Sequence, residues 1–293
     1  MSLSHQRSMA AAAPLAIALE PQAELVFTRA PGGHTYISHK RVGYPFHITR
    51  PFYLDSVPEG FLTLYLQSVS GGIYRGEQLA LSLEAEAGAL AQVTTQSATI
   101  VHRMKSDGAA RQDMTIRVGE GALLEYLPDP LILFPGAQFE SKLRIVAEPS
   151  ATAILCDAFT QHDSEEEGGR FARLAAETRI ERPNGTLVAF DRFDIDGELG
   201  EAHLDGLAGT YPAHGTLMVV HDACSAEKMA AVLRDALAVC SGIYAGASTL
   251  PQDSGAWVRI LAVDGLALRA ALKATWIAAR LKVCGAAPAK RPK

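Results

Sequence analysis

Side chains that could do chemistry are concentrated in two short stretches of this chain. Cys156, Asp157, His162 and Asp163 fall within eight residues, and a borderline or transition metal accepts thiolate, imidazole and carboxylate together. The same stretch also reads as a buried thiol followed by a solvated loop, His162, Asp163 and Glu165 to Glu167 running into Gly168-Gly169; the residues alone favour this second reading. The other stretch is Leu124-Glu125-Tyr126-Leu127-Pro128-Asp129-Pro130. Burying the Glu125 carboxylate among apolar neighbours is costly unless it meets a cation, a donor network or water. Arg103, Arg111 and Lys142 are the cations within reach of such a pairing. Asp129, between two prolines, reads as a turn acceptor.

Familiar catalytic spacings are missing from the sequence. There is no phosphate-binding Gly-x-x-x-x-Gly-Lys, no dinucleotide glycine fingerprint, no His-Glu-x-x-His and no Gly-x-Ser-x-Gly. Asp194-Ile195-Asp196-Gly197 resembles part of a calcium loop, but Arg192 stands in place of its first ligand and His203 in place of its last. Phe193 and Ile195 are therefore read as strand residues facing a core. His102, His214 and His221 are isolated, so no permanent metal site is expected. A sugar hydrolase on a β solenoid would have to pair Glu125 with Asp157 across a cleft, yet aromatic residues make up only 7% of the chain. A metal-storage protein would need clustered histidine or cysteine ligands.

The elements that must position these residues are mostly strands. From Glu24 to Ala202 apolar residues recur with a period of two, as in Leu79-x-Leu81-x-Leu83 and Met114-x-Ile116-x-Val118. Turn signals such as Gly71-Gly72, Pro135-Gly136 and Pro183-Asn184-Gly185 separate the runs. A pattern of acidic residue, turn and alternating strand occurs three times, at Glu86-Ala87-Gly88, Glu120-Gly121 and Glu148-Pro149, a spacing that suits stacked β units. After about residue 223 the period changes. Met229, Val232, Leu233, Ala236, Leu237 and Cys240 mark one helix behind Ser225, and Leu268, Leu272, Thr275, Trp276, Ala279 and Val283 mark a second from Gly265 to Cys284. Trp257 to Val263 reads as a strand between them. The expected fold is mainly β, a many-stranded stacked, solenoid-like architecture with two C-terminal α-helices. Its expected organisation is a flexible extension over 1–23, one domain over 24–285 (β-rich 24–222, helix-containing 223–285) and a flexible tail over 286–293.

Composition sets further bounds. The 27 basic and 32 acidic residues are interspersed, which gives no electrostatic footprint for nucleic acid. Four scattered cysteines fit a reducing compartment. Met9 to Leu19 has the length of an export signal, but Pro14 interrupts it and alanines dilute it; it reads as a frayed extension. No run is long enough for a membrane span, and the expected location is the cytoplasm. Hydrophobic residues reach 48%, which points to a partner covering part of the surface.

The chain resembles the urease accessory proteins of the UreD family, also called UreH. The resemblance is carried by Arg50-Pro51-Phe52-Tyr53, Gly71-Gly72-Ile73-Tyr74-Arg75-Gly76-Glu77, Thr94-Thr95-Gln96-Ser97-Ala98-Thr99, Leu124 to Pro130 and Gly169-Arg170, with Trp276, Arg280, Pro288 and Arg291 near the end. The resemblance implies a non-enzymatic protein without a tightly bound cofactor. Its implied partners are the urease apoprotein, UreF directly and UreG through UreF, with nickel in transit to the urease metallocentre along an internal passage. Glu125, Asp129, Asp157 and Glu177 become candidate transient oxygen ligands, and Glu125→Gln is then expected to fold normally while lowering nickel delivery. Leu266, Ala267, Arg269 and Ile277, left over once the sheet-facing helical stripe is assigned, become candidate partner contacts.

Overall fold

The computed structural model describes residues 20–104, 108–163, 167–197, 211–222 and 224–292. The export-like run and His203 lie outside them. The chain begins with β1 (Ala23–Arg29), β2 (Thr35–Val42), β3 (Phe46–Ile48) and β4 (Leu62–Ser68). Three coils follow, each a strand of one sheet, a corner and a strand of the other. They are β5 (Gln78–Ala85) to β6 (Leu90–Thr95), β8 (Ala110–Val118) to β9 (Leu123–Leu127), and β11 (Gln138–Ala147) to β12 (Thr152–Gln161). Short strands β7 (Ile100–Val101) and β10 (Leu131–Leu133) lie in the connections. The later strands are β13 (Arg173–Glu181), β14 (Leu187–Ile195), β15 (Ala213–Val220), β16 (Ile243–Thr249) and β17 (Gly255–Ala262).

The first sheet runs β14-β13-β11-β8-β5-β1-β2 and the second β16-β17-β15-β12-β9-β6-β4-β3, with β10 and β7 beside β12. Within the coils the pairing is parallel, β5-β8-β11-β13 in one sheet and β4-β6-β9-β12 in the other. Antiparallel pairs flank the stack: β1 with β2, β3 with β4, β13 with β14, and β12-β15-β17-β16. The stacked β architecture expected from the repeat is the architecture found.

Each repeat is a corner that carries the chain from one sheet to the other. Leu90, Leu123 and Thr152 are in register, so Gly88 and Gly121 are equivalent to Ser150, one residue beyond the Pro149 of the sequence pattern. Gly88 (φ 70°) and Gly121 (φ 61°) occupy the left-handed region, which costs an L-residue with a Cβ about 1–2 kcal/mol. A Cβ added at Gly121 would meet open space, so the cost there is conformational alone. Gly121→Ala should lower stability by about 1 kcal/mol, read as a shift in the urea midpoint; an unchanged midpoint would show that the corner does not constrain the backbone.

Two apolar clusters fill the space between the sheets, one towards the corners (Leu83, Val118, Leu124, Ile145) and one at the far end of the strands (Leu79, Leu133, Phe139, Phe171). A third lies outside the second sheet, under α1 (Ala226–Ala238) and α2 (Gly265–Cys284). Ser225 caps α1 by accepting from Lys228 N, Asp264 caps α2 by accepting from Ala267 N, and Gly285 ends α2 at φ 72°. The buried face of α2 contains the expected Leu268, Leu272, Thr275, Trp276 and Ala279, and also Arg280.

Candidate functional site

Alternation along β9 turns Leu124 and Tyr126 into the space between the sheets and Leu123, Glu125 and Leu127 towards the helices. Glu125 is fully buried there. Arg280 Nε donates to its Oε1 at 2.6 Å and Arg280 Nη2 to its Oε2 at 2.6 Å. Trp276 Nε1 donates to Oε2 at 3.0 Å, and Gln92 Nε2, on the strand in register with β9, at 2.6 Å. Trp276 and Arg280 are one helical turn apart, so a single face of α2 delivers both donors. The guanidinium lies 3.9 Å from the Phe61 ring centroid, and its Nη1 is 3.4 Å from the buried Asp55 carboxylate. The Glu125 carboxylate accepts four hydrogen bonds, one at Oε1 and three at Oε2. Its counter-ion is Arg280 and not Arg103, Arg111 or Lys142; Arg111 pairs with Glu140 at 3.1 Å on the outside of the first sheet.

The same knot anchors residues 286–292, which the sequence suggested would be mobile. Asp55 Oδ1 accepts from Ala289 N at 2.8 Å, Arg291 stacks 4.7 Å over Trp276 and donates to Thr94, and Tyr65 donates to the Pro292 carbonyl at 2.7 Å. Thr94 in turn donates to Leu127 O at 2.6 Å, and Asp129 N donates to Thr95 Oγ1 at 2.8 Å. The Thr94–Thr99 and Leu127–Pro130 stretches, so prominent in sequence, thus meet α2 and the C-terminal residues at the ends of the central strands β6 and β9.

A different polar group lies between the sheets. On β12, Cys156 and Ala158 pack under the helices, which turns Asp157 inward. Asp157, Thr216 and Arg259 are cross-strand neighbours on one rung. Arg259 Nη2 reaches across to Asp191 of the first sheet, 2.6 Å from each carboxylate oxygen. Next to this rung is a cavity of about 90 Å³ whose polar wall includes Thr95, Gln112, Asp129, Ser141, Asp157 and Thr178. That volume holds several waters, since one occupies on the order of 10–15 Å³ by this measure. Leu81 and Met114 on one side of the cavity belong to the corner cluster, Leu79 and Phe139 on the other to the distal cluster; the polar belt separates the two. Burial and the nearby Asp191 push the Asp157 carboxyl up to about 6, against the opposing pull of Arg259. Burial also raises the Tyr126 hydroxyl and the Cys156 thiol, which leaves Cys156 an inert core thiol.

The structure therefore brings Asp129 and Asp157 to one cavity and places Glu125 and Glu177 elsewhere. Glu177 lies on the outer face of the first sheet, in register with Lys142 and Arg192. Cys156, Asp157, His162 and Asp163 do not converge: Asp163 accepts from Gly169 N at 2.7 Å and His162 packs against Phe134. Among the described residues no group of three or more His, Cys, Asp or Glu side chains is placed to hold a metal ion. Of the candidate partner contacts, Leu266 is 79% exposed and Arg269 is exposed, whereas Ala267 and Ile277 are half-buried against the helical core.

Sequence reasoning missed Arg280, Asp191 and Arg259 as members of these groups. Arg280 was findable, since it lies four residues after Trp276 and eight after Leu272 on the apolar stripe. Asp191 shares the parity of Phe193 and Ile195, already read as inward. No sequence signal pairs Asp191 with Arg259, 68 residues away on the other sheet.

Comparison with known proteins is consistent across the whole described chain. The family model for the UreD urease accessory protein matches residues 20–293. Urease accessory protein UreD 1 of Pseudomonas syringae pv. tomato is 40% identical over 279 residues, covering 95% of this chain and 98% of the relative. Urease accessory protein UreD 1 of Methylorubrum extorquens is 40% identical over 272 residues (93% and 91%), and UreD 2 of Streptomyces griseus 31% over 268 residues (87% and 87%). With its paired sheets, buried carboxylate knot and these relatives of matching length, the chain belongs to the UreD family of urease accessory proteins.

Proposed function

We propose that this protein is a non-catalytic scaffold in the cytoplasm that binds urease apoprotein and UreF, with UreG joining through UreF, and helps nickel reach the urease metallocentre. The observation that carries the nickel part is the polar belt between the sheets. Its cavity has a wall of hydroxyls, amides and two carboxylates, Asp129 and Asp157, and too few ligands to trap an ion. Weak oxygen donors on a hydrated path suit an ion that must leave again. Glu125 and Glu177, which do not face this space, drop out of the route, and Glu125 becomes the residue that fixes α2 on the sheet. The exposed start of α2, Leu266 and Arg269, is retained as the partner contact.

The alternatives fare worse on the same geometry. Glu125 and Asp157 face opposite sides of the second sheet, so they share no cleft in which a glycosidic bond could sit. The absence of a three-ligand cluster among the described residues weighs against storage. The nickel reading is tested by expressing Asp157→Asn with urease and the accessory partners and measuring nickel per urease active site by mass spectrometry. A severalfold fall with unchanged co-purification of UreF is expected; unchanged nickel content would remove Asp157 from the route.

A further inference from the structure

Two polar side chains on the inter-sheet rung are incompletely satisfied. Thr216, 3% exposed, has no hydrogen-bond partner for its hydroxyl, and Arg259 has none for its buried Nε. Both lie beside Asp157 in register. A buried hydroxyl without a partner is normally explained by a ligand or water. Asp157, Thr216 and Asp191 together present only oxygen atoms that can coordinate a cation, the donor set of a hard divalent ion. The positive charge found there belongs to the chain itself: Arg259 bonds Asp191 at 2.6 Å and is held from behind by Trp257, 5.1 Å from its ring centroid.

Arg259 also stands at a boundary. Asp157 lines the cavity of about 90 Å³, and Arg259, its neighbour on the rung, lines a wider, largely apolar cleft of about 800 Å³ together with Phe193, His214, Tyr244 and Trp257. A cation leaving the cavity in this direction meets a guanidinium first. We propose that Arg259 is a tethered counter-cation that occupies a divalent-cation site built by Asp157, Thr216 and Asp191, and so closes this end of the polar belt to metal ions. Its bearing on nickel rests on the function proposed above; the site itself does not.

Manganese(II) provides the test, because an oxygen-only site suits it and surface histidines hold it less well than they hold nickel. Binding to the full chain is followed by loss of the free-ion electron paramagnetic resonance signal. Arg259→Met should bind one manganese(II) at least about tenfold more tightly than the unaltered chain, a gain of about 1.4 kcal/mol. Arg259→Lys, which keeps the charge, should show no gain. Adding Asp157→Asn to Arg259→Met should abolish it. Should the methionine variant fail to fold, Arg259→Gln is read in the same way. Affinity unchanged on removing the charge, or a gain that survives Asp157→Asn, overturns the proposal. A manganese gain without any change in urease nickel content in cells would leave the site standing and count instead against the nickel route.

Discussion

Replacing Arg280 by alanine is expected to cost about 3–5 kcal/mol of stability, the range found when one member of a buried ion pair is removed. The deletion strands Glu125, which is fully buried out of reach of bulk solvent, and removes the cation that sits beside Asp55. It also takes away the platform on which Phe61 rests. The urea midpoint should fall accordingly, and soluble yield with it. Glu125→Gln is expected to damage folding as well, since it leaves the buried guanidinium with only the more distant Asp55 carboxylate as counter-charge. The family resemblance, by contrast, implies a normally folded variant with lowered nickel delivery. Replacing both partners, Glu125→Leu with Arg280→Met, should recover much of the loss, because two matched apolar side chains avoid the desolvation that either lone charge suffers. An Arg280→Ala midpoint within about 0.5 kcal/mol of the parent, the range of ordinary surface changes, would show that the pair does not hold the fold.

Asp157→Asn should act in the opposite direction. Its carboxyl titrates at about 6 in the fold against an ordinary 3.8, so the folded state holds the proton more tightly than the unfolded chain. The penalty is absent below the ordinary value, grows as pH rises from about 4 to 6 and is complete above that. A shift of roughly two units corresponds to about 3 kcal/mol as an upper bound. Asparagine removes the ionisation, so the variant should be more stable than the parent at pH 7.5 and keep only about a third of that gain at pH 4.5, compared by urea unfolding at both. A gain of the same size at both values would assign the effect to packing. Together with the expected loss of nickel delivery, a stabilising substitution that lowers function would mark Asp157 as a residue kept at a cost to the fold.

How much of this was legible depended on range. The corners at Gly88 and Gly121 are local, and their glycines and flanking alternation announce them in sequence. The helices were equally plain, because Ser225, Gly265 and Gly285 bound apolar stripes of the right period. β16 gave little signal: Ile243 to Thr249 is a short edge strand of small residues with Gly246 at its centre. The buried charge was legible as a problem, an acid between Leu124 and Tyr126, but its solution lay 155 residues away, and nearer arginines and a lysine looked adequate. Charged residues on the outer face of the first sheet are indistinguishable in sequence from those inside. Only the register of paired strands shows that Glu177 points outward and Asp191 inward.

The distance between Glu125 and Arg280 along the chain has a consequence for biosynthesis. Chains are made from the N-terminus and fold as segments become available. Both sheets can begin to stack while the ribosome is still working, but the carboxylate at the centre of the second sheet stays without its counter-charge until α2 is complete. Every nascent or truncated product that stops before residue 280 thus carries an uncompensated acid in what should be its core. Such a product offers chaperones and proteases a clear mark of an unfinished molecule.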